Sequence, residues 1–368
     1  MSTIGNEDLR IGKKEMAINI SSAIIGVGIL TFPRILAKET GSIDGWISVM
    51  IAGGCACLIS WILAKLAARF PKHSFFDYTA LIATKPVAYL ITFLFALYAM
   101  FFVAYEVRAV GNIAKQYLFT ATPVEVIALT FLLIVQYALI GKRIALLRLN
   151  LMFLPIVLIV ILMVQMYTIP YIEMENIKPF FSSSWTGILQ GSIDVGLSLT
   201  GFEIILFYAV LMKHPEEAPK SAIIGLAIPI VLYLTIYVVS IGVFSAETTK
   251  NLIYPTIELA KEVEVPGGFL ERIESVFFTI WIMTIFNTCA AYFDIALLCF
   301  GSIFRKVKKI TWIVTLSPII YLLSMAPETL VEFFYLGDLL TYYGMIVAYF
   351  FPALLLLIAI LRGVNGHV

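Results

Sequence analysis

Charge is what this chain has least of. Asp, Glu, Lys and Arg make up 13% of its 368 residues, against 61% hydrophobic residues. So few charges cannot cover the surface of a soluble chain this long, so a water-soluble enzyme or binding module is excluded and a polytopic membrane protein is expected. Histidine is scarce as well. His73, His214 and His367 all lie outside the apolar runs, which leaves little for a histidine-based metal site. The four cysteines, Cys55, Cys57, Cys289 and Cys299, fall within apolar segments. Cys55 and Cys57 point to different sides of a helix and cannot form a ligand pair, so they read as small packing residues with no disulfide framework. A net charge of +1 without a basic tract gives no reason to expect nucleic acid. No His-Ser-Asp set, Walker loop or metal-ligand spacing occurs, so neither an enzyme nor a metal or other cofactor is expected. The first apolar run is too long for a signal-peptide core and is expected to stay in the mature protein.

Long apolar runs are what the sequence has instead. Ten segments qualify as spans, at 15–37, 43–69, 86–118, 123–141, 145–168, 189–212, 219–246, 270–301, 310–327 and 336–361. With the N-terminus inside, 17 of the 25 Lys and Arg fall on the cytoplasmic side, including Lys65, Arg69, Arg143 and the cluster Arg305–Lys309. That asymmetry orients the chain with both ends cytoplasmic.

Two spans are interrupted at membrane depth. The first reads "AIIGVGILTFP" (residues 23–33), with Gly26 and Gly28 near its middle and Pro33 behind. The sixth contains "GLSLTGFE" (196–203), interrupted by Gly196, Ser198, Thr200 and Gly201. Glycine and proline weaken helices by about 1 and 3 kcal/mol, and unpaired backbone is not tolerated in lipid. Segment starts pair in order between the halves, 43 with 219, 86 with 270, 123 with 310 and 145 with 336, so the chain divides into two five-helix units. An odd number of spans per unit inverts the second relative to the first. Matching breaks in inverted repeats point to a midplane substrate site. The division expected is a cytoplasmic segment 1–14, a first repeat 15–168, an outer loop 169–188, a second repeat 189–361 and a cytoplasmic tail 362–368. The fold class is thus all-α, with ten transmembrane helices in an inverted repeat whose helices 1 and 6 are broken.

"IIGVGILTFP", "GLSLTGFE" and "MKHPEEAPKSAIIG" together resemble the B-subunits of spore germinant receptors. These endospore germination permeases are a branch of the amino acid–polyamine–organocation superfamily with the LeuT-type fold. The resemblance implies a nutrient-sensing subunit in the inner membrane of the spore, partnered by A- and C-type subunits and embedded in the lipid bilayer. Its ligand would be a small-molecule nutrient such as an amino acid. A secondary amino-acid transporter working by alternating access is the alternative.

Candidate contacts follow from both lines of reasoning. Freed backbone at Gly26, Val27 and Gly28 is suited to a substrate carboxylate, and Leu199, Thr200 and Gly201 offer carbonyls to an amine or a wall to a side chain. On span eight, Thr284, Asn287, Ala291 and Asp294 share a face. The resemblance adds Thr288 and Tyr292 there and Phe102 on span three. Glu203, two residues past the second break, is suited to bracing unwound backbone or to handling a proton. Asp294 is expected to pair with the nearby cluster Arg305–Lys309, and Glu106 and Arg108 to be solvated near the outer end. Lys65 and Arg69 are placed to snorkel. Span five has no ionisable residue from Asn150 to Gln165, where some proton-coupled relatives place a lysine, which argues against coupling by that device. Residues 254–274 read as an outer amphipathic lid ended by Pro266, Gly267 and Gly268.

The orientation is checked by cysteine-accessibility labelling. A Val307→Cys variant should react with a membrane-impermeant thiol reagent only after the cytoplasmic side is exposed, and labelling from outside alone would reverse the assignment.

Overall fold

The ten runs fold into ten membrane-crossing segments in the computed structural model, which describes residues 10–262 and 273–366. Span one is two helices, α1 (Lys13–Ile24) and α2 (Gly28–Thr40), bent by 58° at the break. Span two is α3 (Gly45–Ala68), followed by the short α4 (Phe75–Ile82). Spans three, four and five are α5 (Lys85–Tyr117), α6 (Val124–Ile140) and α7 (Arg143–Thr168). A single turn, α8 (Met174–Ile177), precedes span six, which is α9 (Trp185–Ser198) and, past the second break, the one-turn α10 (Ile205–Tyr208) between tight 3-10 turns. Span seven is α11 (Ala218–Thr249), and the short α12 (Pro255–Lys261) leads to span eight, α13 (Ile273–Ile303). Spans nine and ten are α14 (Lys309–Met325) and α15 (Leu330–Gly344), which continues through a π-helical turn into α16 (Phe351–Leu361).

Six of these stretches are long and apolar enough to cross a membrane unaided, and the bent α1–α2 pair makes a seventh. The two halves match in detail. Helices α6 and α14 are both 17 residues long, and the short helices α4 and α12, of 8 and 7 residues, occupy corresponding places. Inversion puts α4 on one side of the membrane and α12 on the other. The long scaffold helices α5 and α13 pack along each other, while Leu133, Ile159, Leu322 and Leu357 leave apolar surface exposed, as lipid contact requires.

Local chemistry sets several boundaries. Ser74 caps α4 and bonds the Asp77 side chain at 2.6 Å. Gly41, at φ +65°, ends α2 in the left-handed conformation that suits glycine. Pro33 within α2 has no N–H to give the carbonyl of Ile29. The hydroxyl of Thr256 on α12 donates to that carbonyl at 2.8 Å, so the proline becomes the point where the short outer helix is pinned to span one. Residues 255–260 of the expected lid are therefore helical and largely buried, whereas Pro266, Gly267 and Gly268 lie outside the described residues. All four cysteines are free, and Cys55 is exposed on the bundle surface.

The loop before α9 is anchored by one carboxylate. Asp44 accepts backbone N–H bonds from Phe181 at 2.7 Å, Ser182 at 2.6 Å and Ser183 at 2.9 Å. Phe181 takes a positive φ of 56°, which turns successive amides toward one anion. Asp44→Ala should lower unfolding free energy by about 1–3 kcal/mol by stranding these donors, with Asp44→Asn losing less. Thermal melts in detergent measure it, and an unchanged melting temperature for the alanine variant would refute the anchoring role.

Candidate functional site

The two breaks lie against each other. Gly201, at φ +128°, is so close to span one that a Cβ there would stand 2.7 Å from the Ala23 carbonyl atoms. A Cβ on Gly28 would stand 3.0 Å from Ser198 Cβ. The glycines therefore serve two purposes: they permit unwinding, and they let the unwound backbones touch.

Polar groups freed at the breaks and turned away from open space need protein partners, because lipid offers none. The scaffold helices supply most of them. On α13, the Thr288 hydroxyl donates to the carbonyls of Ser22 at 3.3 Å and Ala23 at 3.5 Å, as well as to Thr284 one turn back. Asn287 donates to the Ser22 hydroxyl at 3.1 Å. On α5, the Glu106 carboxylate accepts the Val27 N–H at 3.4 Å. At the second break, Glu203 Oε2 accepts the Gly201 N–H at 2.8 Å. Its Oε1 accepts the Tyr98 hydroxyl of α5 at 3.1 Å and also the Tyr292 hydroxyl of α13. Glu203 is thus a brace that joins the sixth span to both scaffold helices.

A cavity of about 750 Å³ runs from the breaks to the end of the bundle opposite the N-terminus. Gly26, Gly28, Phe102 and Thr200 line it, together with Tyr98, Tyr105, Glu106 and Ser198. Arg34, Lys38, Glu39, Asp194 and Asp338 add a mixed-charge upper wall. Val27, Leu199, Gly201, Thr284, Thr288 and Tyr292 do not line this cavity. Tyr292 stacks directly beneath Phe102, with ring centroids 3.9 Å apart and planes 15° from parallel, while the Thr284 hydroxyl bonds the Trp281 carbonyl at 2.6 Å. Sequence reasoning thus located the floor of the cavity and the residues that support it, without separating the two.

The opposite end is closed. Arg143, the first residue of α7, holds both oxygens of Asp294 on α13, and the Tyr208 hydroxyl of α10 joins at 3.1 Å. Asp294 is therefore ion-paired, but with Arg143 rather than with the expected cluster, whose Arg305 reaches Asp77 at 2.9 Å. Sequence proximity favoured the cluster; the crossing of α7 over α13 brings a different arginine closer. Beside this closure, Ile11 pairs by backbone hydrogen bonds with Leu211 and Lys213.

Glu106 and Arg108 also differ from expectation. Both are buried, at 2% and 8% exposure. Arg108 is turned to the Met325 sulfur and the Glu328 carbonyl. Glu106 faces the first break. A usable signal was present: Tyr98, Phe102 and Glu106 recur every four residues and so share one face of α5.

Residues 10–332 match a family described as spore germination proteins. The chain belongs to that family. It is 40% identical to the spore germination protein GerLB of Bacillus cereus over 98% of this chain and 96% of the relative. It is 32% identical to YndE of Bacillus subtilis, covering 95% and 96% of the two chains. Among solved structures, MhsT in complex with L-phenylalanine superposes with a TM-score of 0.74 at 12% identity, covering 98% of this chain and 91% of that one. The fold is the LeuT-type five-plus-five inverted repeat with helices 1 and 6 broken, and the protein is a multi-pass membrane protein.

Two glycine variants separate architecture from site. Gly201→Ala should accumulate poorly, because a side chain at φ +128° is strained by about 1–3 kcal/mol and collides with backbone that cannot move aside. Gly26→Ala meets mainly the flexible end of Glu106, at 2.8 Å, and should accumulate near parental levels while its ligand response falls. Normal accumulation of Gly201→Ala on membrane blots would refute the close contact of the breaks.

Proposed function

We propose that this chain is the nutrient-sensing membrane subunit of a spore germinant receptor, acting in the inner membrane of the spore beside A- and C-type subunits. Its ligand is a small amino acid bound where the cavity meets the two helix breaks. The observation that carries this reading is the large cavity ending on both breaks in a chain of the spore germination family. Unwound backbone, a glycine floor and an aromatic wall at Phe102 suit a compact ligand with both polar ends and little side chain. The cavity is open at one end and shut at the other by the Arg143–Asp294–Tyr208 contact. A ligand that binds one such state better than its alternative shifts the population between them, and partner subunits in contact with the moving helices can respond to that shift.

The fold shared with MhsT favours a second reading, a secondary transporter that carries the amino acid across. A carrier must release substrate on both sides, whereas a sensor needs only differential affinity. The purified chain should therefore be stabilised by its amino acid, by about 2.7 kcal/mol at a hundredfold excess over Kd. The same chain alone in liposomes should show little counterflow of the labelled compound, and germination should require co-expressed A- and C-type subunits. Robust counterflow by the isolated chain would establish the transporter reading instead.

A further inference from the structure

Among the described residues, four acids are almost fully buried: Asp44, Glu106, Glu203 and Asp294. Three have their oxygens filled. Asp44 holds three loop amides, Glu203 holds one amide and two tyrosines, and Asp294 holds Arg143 and Tyr208. Glu106 is different. Its Oε1 has only the long 3.4 Å bond to the Val27 N–H, and its buried Oε2 has no hydrogen-bond partner among the described residues. It nevertheless lines the floor of the cavity. It reaches that position because residue 26 is glycine, whose Cβ would stand 2.8 Å from Oε1.

We propose that the Glu106 carboxylate is the contact for a cationic nitrogen on the ligand, so that this site selects its nutrient by positive charge. This rests on the preceding reading, that a ligand binds at the breaks, and adds which end of the ligand meets which group. Burial disfavours a carboxylate that has no counter-charge, and an incoming cation offsets that penalty while a neutral or anionic ligand does not. The neighbouring cations are otherwise placed: Arg108 is turned to the Met325 sulfur and the Glu328 carbonyl, and Arg34 lies over the Phe334 ring at 5.3 Å. Phe102 lies one helical turn from Glu106 on the same face, and Tyr105 is adjacent; both line the cavity. Aromatic rings beside a carboxylate are favourable surroundings for an ammonium group. The Val27 N–H that would otherwise be open to a ligand carboxylate is already given to Glu106. At Val27, therefore, it is a carboxylate and not a free N–H that faces the ligand.

The test is thermal stabilisation of the purified full chain by the L-amino acids, their methyl esters, which keep the ammonium, and their N-acetyl derivatives, which remove its charge. Ethanolamine, inosine and glucose complete the set, and each compound is tried on the parent, Glu106→Gln and Glu106→Asp. The expected result is that an amino acid and its ester stabilise the parent and the N-acetyl form does not. Glu106→Gln should then weaken the amino acid about 10- to 150-fold, with Glu106→Asp retaining part of the affinity. An N-acetyl derivative that binds as well as its parent amino acid overturns the proposal without recourse to a variant. An amino acid that stabilises Glu106→Gln and the parent equally overturns it too, while leaving the amino-acid reading intact. Stabilisation by ethanolamine alone, lost in Glu106→Gln, upholds the charge contact and overturns the amino-acid reading. Stabilisation by inosine or glucose alone overturns both.

Discussion

Unpaired backbone in a membrane interior must be satisfied by protein, and this one requirement shapes the centre of the molecule. Breaking spans one and six releases amides and carbonyls where lipid offers no hydrogen-bond partner. Helices α5 and α13 answer both breaks at once, Glu106 and Thr288 serving the first and Tyr98 and Tyr292 serving the second through Glu203. That shared service explains why the two scaffold helices pack along each other and why their polar residues lie on facing sides. It also accounts for two of the glycines: Gly201 and Gly28 let the opposed backbones meet.

The same requirement divides the polar residues into those whose hydrogen bonds are used up within the protein and those that face the cavity with capacity to spare. Thr288, Thr284, Tyr292 and Glu203 spend their hydrogen bonds on the protein. Around the cavity floor, Glu106 is the buried acid that does not. Away from the floor, the ends of the bundle are held by different chemistry. One is an ion pair with a tyrosine, joining α7, α13 and α10. The other is a hydroxyl–carbonyl bond between Thr256 and Ile29, available because Pro33 cannot donate. Both connect a half of a broken span to its surroundings.

Much of the fold was legible without coordinates. Apolar run length and the scarcity of charge set the ten spans, and glycine and proline at matching depths in runs one and six marked the breaks, because these effects are local or depend only on transfer to lipid. The site was legible in part. Gly26, Gly28 and Thr200, marked by the helix breaks, and Phe102, marked by the family resemblance, line the cavity.

Three assignments needed the tertiary structure. Asp294 pairs with Arg143 instead of the cluster that starts 11 residues later in sequence, because helix crossing sets that distance. Thr288 faces the carbonyls of Ser22 and Ala23 because α13 passes behind span one rather than beside the cavity. Glu106 is buried because α5, 33 residues long, runs against the first break at that residue, although counting along the helix places it near the polar end. The sequence by itself determined class, span number and the location of the breaks, since hydropathy and backbone propensity act residue by residue. Only tertiary structure decided which polar groups satisfy one another, since a hydrogen bond within a membrane protein depends on where the second helix passes, and no periodicity in the first helix records that.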